Sequence, residues 1–87
     1  MRYFGVKRVV VLPAALKFLR RYRSEAPKLI AKIEAYAANP ASQANNVQAL
    51  SGSSGKRLRV GDYRVIFEES LDEIVVTKIG PRGGVYE

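Results

Sequence analysis

The chain contains no cysteine and no histidine. The first absence excludes disulfide staples and thiol nucleophiles, and it suits a reducing cytoplasm, where the protein is expected to reside. The two together exclude zinc sites of the common kinds, Ser-His-Asp triads and imidazole acid-base chemistry. No metal and no cofactor is expected. Long apolar runs are missing too. The longest, Val9 to Leu12, is strand length and far short of the roughly 18 residues of a membrane span, so no membrane partner is expected. The N-terminus reads without a signal-peptide hydrophobic region or cleavage site, so no targeting segment is expected. Acidic residues are scarce in the first two-thirds of the chain. Residues 1–60 carry twelve Lys or Arg against two Glu, a net of +10, while residues 61–87 carry three basic against six acidic residues, a net of −3.

What is present describes one small soluble domain. Eighty-seven residues, 47% hydrophobic and 26% charged, fall in the ordinary globular range and suffice for one two-layer core over residues 1–87. The net charge of +7 marks a protein that attracts polyanions, nucleic acid first among them.

The segment Val6 to Val11 is rich in β-branched residues and ends at Pro13, which predicts a first strand followed by a helix with proline in its first turn. Leu12, Ala15, Leu16, Leu19 and Tyr22 recur at three- and four-residue spacing, which predicts the buried stripe of that helix. Ser24 is the expected N-cap of a second helix, whose stripe is Ala26, Leu29, Ile30, Ile33, Tyr36 and Ala37 and whose end is Asn39-Pro40. The polar stretch from Ala41 to Gly55 reads as a loop pinned to the core by Val47 and Leu50. From Lys56 the period becomes two. Lys56 to Val60 and Tyr63 to Glu68 flank Gly61-Asp62, a strong hairpin signal, and Ile74 to Ile79 makes a third run. The expected fold is α+β: an N-terminal strand, an antiparallel helix hairpin, then a three-stranded antiparallel meander (β-α-α-β-β-β), with the helices on one face of a small, largely antiparallel sheet.

The hairpin register has a chemical consequence. With Gly61 and Asp62 as the loop, Arg59 falls opposite Arg64, and alternation places Arg57, Arg59 and Arg64 on the face away from Leu58, Val60, Tyr63, Val65 and Phe67. Like charges directly across a strand pair repel. An anion held between them accounts for that choice, because guanidinium groups grip phosphates bidentately.

The string KRLRVGDYRVIFEE, a β-rich run and the closing IGPRGGVYE together resemble the RelE/ParE superfamily of bacterial toxin–antitoxin toxins, and the resemblance covers essentially the whole chain. Its RelE branch comprises ribosome-dependent mRNA endonucleases that cut in the ribosomal A site; its ParE branch poisons DNA gyrase on a similar fold. The resemblance implies catalytic roles for Arg57, Arg64, Arg82 and Tyr86, which match the family's phosphate-binding, proton-transfer and base-stacking positions. Two positions depart from the RelE pattern. Gly55 stands where some members carry a lysine, with Lys56 the nearest substitute, and Pro81 stands where a histidine often precedes the arginine.

RNA cleavage requires deprotonation of the 2′-hydroxyl, stabilisation of the phosphorane and protonation of the 5′-oxygen. Clustered arginines supply the second. Without histidine, the proton-transfer candidates are Lys56 (its proton loosened by neighbouring arginines), Tyr86 and an arginine. Arg59 and the helix residues Arg20, Arg21, Lys28 and Lys32 read as a general RNA-binding surface that the ribosome would meet. The leading expectation is a type II toxin acting as a translation-dependent mRNA endonuclease, with the ribosome, mRNA and a cognate acidic antitoxin as partners. The alternative is a gyrase inhibitor without nuclease activity.

Overall fold

The structure is a computed structural model that describes residues 7–52 and 54–83. Strand β1 (Arg8–Val11) leads into helix α1 (Pro13–Arg21), and helix α2 (Ala26–Ala38) follows a short turn. A 3-10 helix (Pro40–Asn46) then enters strands β2 (Val47–Ala49), β3 (Lys56–Val60), β4 (Tyr63–Glu69) and β5 (Glu73–Pro81). The described residues thus hold three helices and one five-stranded mixed sheet in the order β1-β5-β4-β3-β2.

Four strands follow the helices, not the three expected. The additional strand, β2, lies inside the stretch read as loop and pairs antiparallel with β3, Val47 opposite Leu58 and Gln48 opposite Arg57. Val47 packs on the core as expected, while Leu50 is half-buried and stands outside it. The first strand is not an isolated edge. It runs parallel to β5, with Arg8 opposite Glu73 and Val11 opposite Val76.

The Gly61-Asp62 turn sets the β3–β4 register as expected, Arg59 opposite Arg64 and Leu58 opposite Val65. Gly61 has φ +59°, the left-handed region that Gly-X hairpin turns require and that side chains disfavour. A bulge interrupts the β4–β5 ladder, where Ile66 pairs with Lys78 but Phe67 pairs with Val76. The extra residue, Thr77, donates its hydroxyl to the Ile66 carbonyl at 3.2 Å. The bulge changes the phase of alternation, so Ile79 and Val76 both point into the core and Lys78 points out.

Both helices cover one face of the sheet, α1 over β5 and α2 against β1 and β3. The core joins Ala15, Leu19, Leu29, Ile33, Tyr36 and Ala37 of the helices to Leu58, Val60, Val65, Phe67, Ile74, Val76 and Ile79 of the strands. The helix stripes are narrower than their spacing suggests. Leu12, Leu16, Tyr22 and Ile30 are exposed, because the helices form a single layer and no described residue packs outside it. Ser24 does not cap α2 either. Glu25 occupies the N-cap in helical conformation without a side-chain cap, and its carboxylate pairs with Lys28 at 3.1 Å.

Candidate functional site

The helix-free face of the sheet carries the arginines. Alternation along β3 turns Arg57 and Arg59 outward, and alternation along β4 turns Arg64 outward between Tyr63 and Val65. Arg64 lies low on this face, only 9% exposed. Its Nη1 donates to the carbonyls of Gly61 at 3.0 Å and Tyr63 at 2.9 Å, so the hairpin turn fixes the guanidinium. A guanidinium has five N–H donors, and the described residues occupy only those of Nη1.

Burial pushes the Arg64 pKa down, and the positive charges of Arg57, Arg82 and Arg59 push it further; among the described residues Asp62 opposes them. The arginine remains charged, as guanidinium groups do. Among the described residues, positive charge predominates around it. Arg59 Nη2 donates to Asn46 Oδ1 at 3.1 Å, and Arg57 Nη2 donates to Gln48 Oε1. Arg82 follows β5, held by its backbone N–H to the Asp62 carbonyl at 2.8 Å. Arg57, Arg59, Arg64 and Arg82 are thereby brought together.

Lys56 is not among them. It shares the inward parity of Leu58 and Val60, and its Nζ lies 2.7 Å from Glu69 Oε1. Lys7 reaches the other oxygen of Glu69 at 2.6 Å, and the Tyr36 hydroxyl donates to Oε1 at 2.6 Å. Burial pushes the Glu69 carboxyl up, but hydrogen bonds from Lys56, Lys7 and Tyr36 outweigh it and hold the pKa at about 2. Burial and the same carboxylate raise the Tyr36 pKa. Lys56 thus serves a satisfied ion cluster on the covered side and stands apart from the arginine face.

Tyr86 lies outside the described residues. Arg20, Arg21, Lys28 and Lys32 lie on the helices, across the sheet from the arginines; Lys28 also sits beside the hairpin turn, 6.0 Å from the Tyr63 ring centre. Three residues of the arginine face were not anticipated. Asn46 and Gln48 arrive with the 3-10 helix and β2, and Lys78 joins the row Gln48-Arg57-Ile66-Lys78 across the sheet. The bulge at Thr77 is what turns Lys78 to this side. Among the described residues, no group of three or more His, Cys, Asp or Glu is placed to hold a metal ion. No described helix is long and apolar enough to cross a membrane.

A small mixed sheet with one face under a helical layer is the fold of the RelE/ParE superfamily of toxins, to which this chain belongs. Within it the chain is a member of the ParE toxin family, the "ParE toxin of type II toxin-antitoxin system, parDE", whose sequence model matches residues 9–86. Two solved structures share the fold. One is the archaeal RelE–RelB complex from Pyrococcus horikoshii OT3, with TM-score 0.74 and 24% identity, covering 91% of this chain and 98% of that one. The other is the RelBE2 toxin–antitoxin complex from Mycobacterium tuberculosis, with TM-score 0.63 and 16% identity, covering 92% and 95%. No curated protein sequence matches.

Proposed function

We propose that this type II toxin is a ribosome-dependent mRNA endonuclease. The observation that carries the reading is the convergence of Arg57, Arg59 and Arg82 on a fourth, largely buried arginine, Arg64, with Asp62 as the one opposing charge among the described residues. Such a cluster costs folding energy and suits a phosphate whose charge grows in the transition state. In this reading Arg57, Arg64 and Arg82 hold the scissile phosphate. With Lys56 across the sheet, proton transfer passes to Tyr86 and to Lys78, the lysine that shares the arginine face. Such a set is weak on free RNA and depends on the ribosome to orient the strand.

Membership of the ParE family favours a second reading, inhibition of DNA gyrase by binding alone. Induced expression with separate readouts decides between them. Prompt arrest of protein synthesis with mRNA cut in the A site is the expected result. Cleaved DNA and altered supercoiling with intact mRNA would overturn it.

The partner that neutralises the toxin is, in this reading, an acidic antitoxin segment that folds on binding. The exposed groove between the helices, formed by Leu16, Ala26 and Ile30 and rimmed by Arg20 and Arg23, has the apolar floor and basic margin for it. The groove faces away from the arginines, so silencing the site requires a second stretch of the antitoxin to cross the sheet edge. Both complexes with this fold contain an antitoxin.

A further inference from the structure

Where the 3-10 helix and β2 fold up beside β3, they leave a hollow of about 450 Å³, within the roughly 300–1,000 Å³ of small-molecule sites. One wall is Arg57, Arg59 and Arg64; the other carries the side-chain amides of Asn45, Asn46 and Gln48. The three amides differ in what they have left to offer. Asn46 accepts from Arg59 at 3.1 Å through Oδ1 and directs Nδ2 toward Gln43 Oε1 at 3.5 Å, so both of its ends hold the wall together. Gln48 gives its oxygen to Arg57, and its amide N–H groups have no partner among the described residues. Asn45 is exposed, and neither end of its amide is engaged by a described residue.

Guanidinium and carboxamide walls in one hollow suit the two parts of a nucleotide. A backbone phosphate seated on the arginines leaves its nucleoside beside the amides. Bases of single-stranded RNA are recognised splayed out, through hydrogen bonds along their edges. A carboxamide, with donor and acceptor side by side, matches the N6/N7 edge of adenine, whereas guanine is the usual choice of a free guanidinium. Here the guanidiniums are committed to the phosphate, to Asn46 and to Gln48. We propose that this hollow takes one base of the bound strand, next to the phosphate on Arg57, Arg59 and Arg64, and that Asn45 and Gln48 read its edge and select adenine. The proposal rests on the mRNA-cleaving reading above.

The test uses the whole toxin, purified ribosomes and a set of mRNAs differing only in the base at each position of the A-site codon, with single-turnover cleavage rates as readout. At one codon position adenine should be cut at least about tenfold faster than a pyrimidine, the scale of one good edge contact. Asn45→Ala with Gln48→Ala should bring that ratio within about twofold, mainly by lowering the adenine rate; Asn45→Ala alone, at an exposed position with no structural hydrogen bond, should lower it part of the way. Arg64→Ala should slow all substrates alike and leave any remaining ratio intact. Cleavage without base preference, or a preference for adenine that survives in both amide variants, would overturn the pocket and leave the nuclease reading standing. If the wild-type toxin left ribosome-bound mRNA uncut, both would fall.

Discussion

At Glu69, on the covered side of the sheet, two lysines and a tyrosine converge on one carboxylate. At Arg64, on the open side, three arginines converge on a fourth, and among the described residues Asp62 is the charge set against them. Both clusters sit on β4, at opposite ends of the strand and on opposite faces of the sheet. The first satisfies its charges internally and ties β1, α2, β3 and β4 together. The second gathers like charges beside a hollow open to solvent, an arrangement that costs folding energy. Cations that look alike in sequence therefore divide into those gathered on a carboxylate under the helices and those gathered on one another across the open face.

The comparison is broken most directly at its two centres. Arg64→Ala should reduce cleavage in the ribosome assay by about 10²–10³, the usual cost of a lost charge contact in the transition state, while a thermal melt stays close to wild type. A variant that cleaves at the wild-type rate removes Arg64 from the chemistry. Glu69→Gln should do the reverse. It leaves Lys7 and Lys56 without a countercharge and should cost about 2 kcal/mol, roughly 8–16 °C in a domain this small, with cleavage by the folded protein retained. An unshifted melt would show that the cluster is dispensable.

The same carboxylate fixes an acid limb. Glu69 titrates near 2 in the native state against an ordinary 4.5. Its contribution is complete above the ordinary value and is lost as pH falls through the native one, since the unfolded chain takes up the proton first. Wild-type stability should therefore fall between about pH 5 and pH 2 more steeply than that of Glu69→Gln, as denaturant titrations at stepped pH would show; parallel curves contradict the assignment.

Smaller effects probe the open side. Pyrophosphate at ten times its dissociation constant should stabilise wild type by about 1.4 kcal/mol, and Arg57→Ala with Arg64→Ala should abolish that gain. Stabilisation that persists in the double variant places the anion elsewhere. Arg20→Glu with Arg21→Glu, on the helical layer, should flatten the salt dependence of ribosome binding by no more than about two counterions without changing the single-turnover rate of bound mRNA. A fall in that rate would join the helix layer to the chemistry.

Much of this division was legible in the chain. Gly61-Asp62 set the hairpin, and the hairpin alone placed Arg59 against Arg64 and sent Arg57 to the same face. The inward parity of Lys56 with Leu58 and Val60 was equally available, yet the family motif drew Lys56 toward the arginines. Other features rest on non-local events that no local pattern announces. Val47–Ala49 is three residues long and becomes a strand only because β3 offers its edge. The bulge at Thr77, which decides whether Lys78 or Ile79 faces the core, leaves no mark in a run that reads as uninterrupted strand. Asn46 and Gln48 reached the site through a 3-10 helix and the short strand β2, in a stretch whose composition suggests only a loop. The outer flanks of the helices, Leu16 and Ile30, followed the apolar spacing faithfully but stayed exposed, with no described residue outside them.

The parallel pairing of β1 with β5 joins Arg8 to Glu73, partners separated by 65 positions. During synthesis at about 5–20 residues per second, β1 leaves the peptidyl-transferase centre some 3–13 s before its neighbour is made. Until then its Val9-Val10-Val11 edge has no strand to join, and β4 lacks the neighbour that closes its own edge. Contacts this distant slow folding, so a nascent chain acquires its complete sheet only after most of it has been translated. A toxin built this way completes its sheet late, seconds after its first strand has been made.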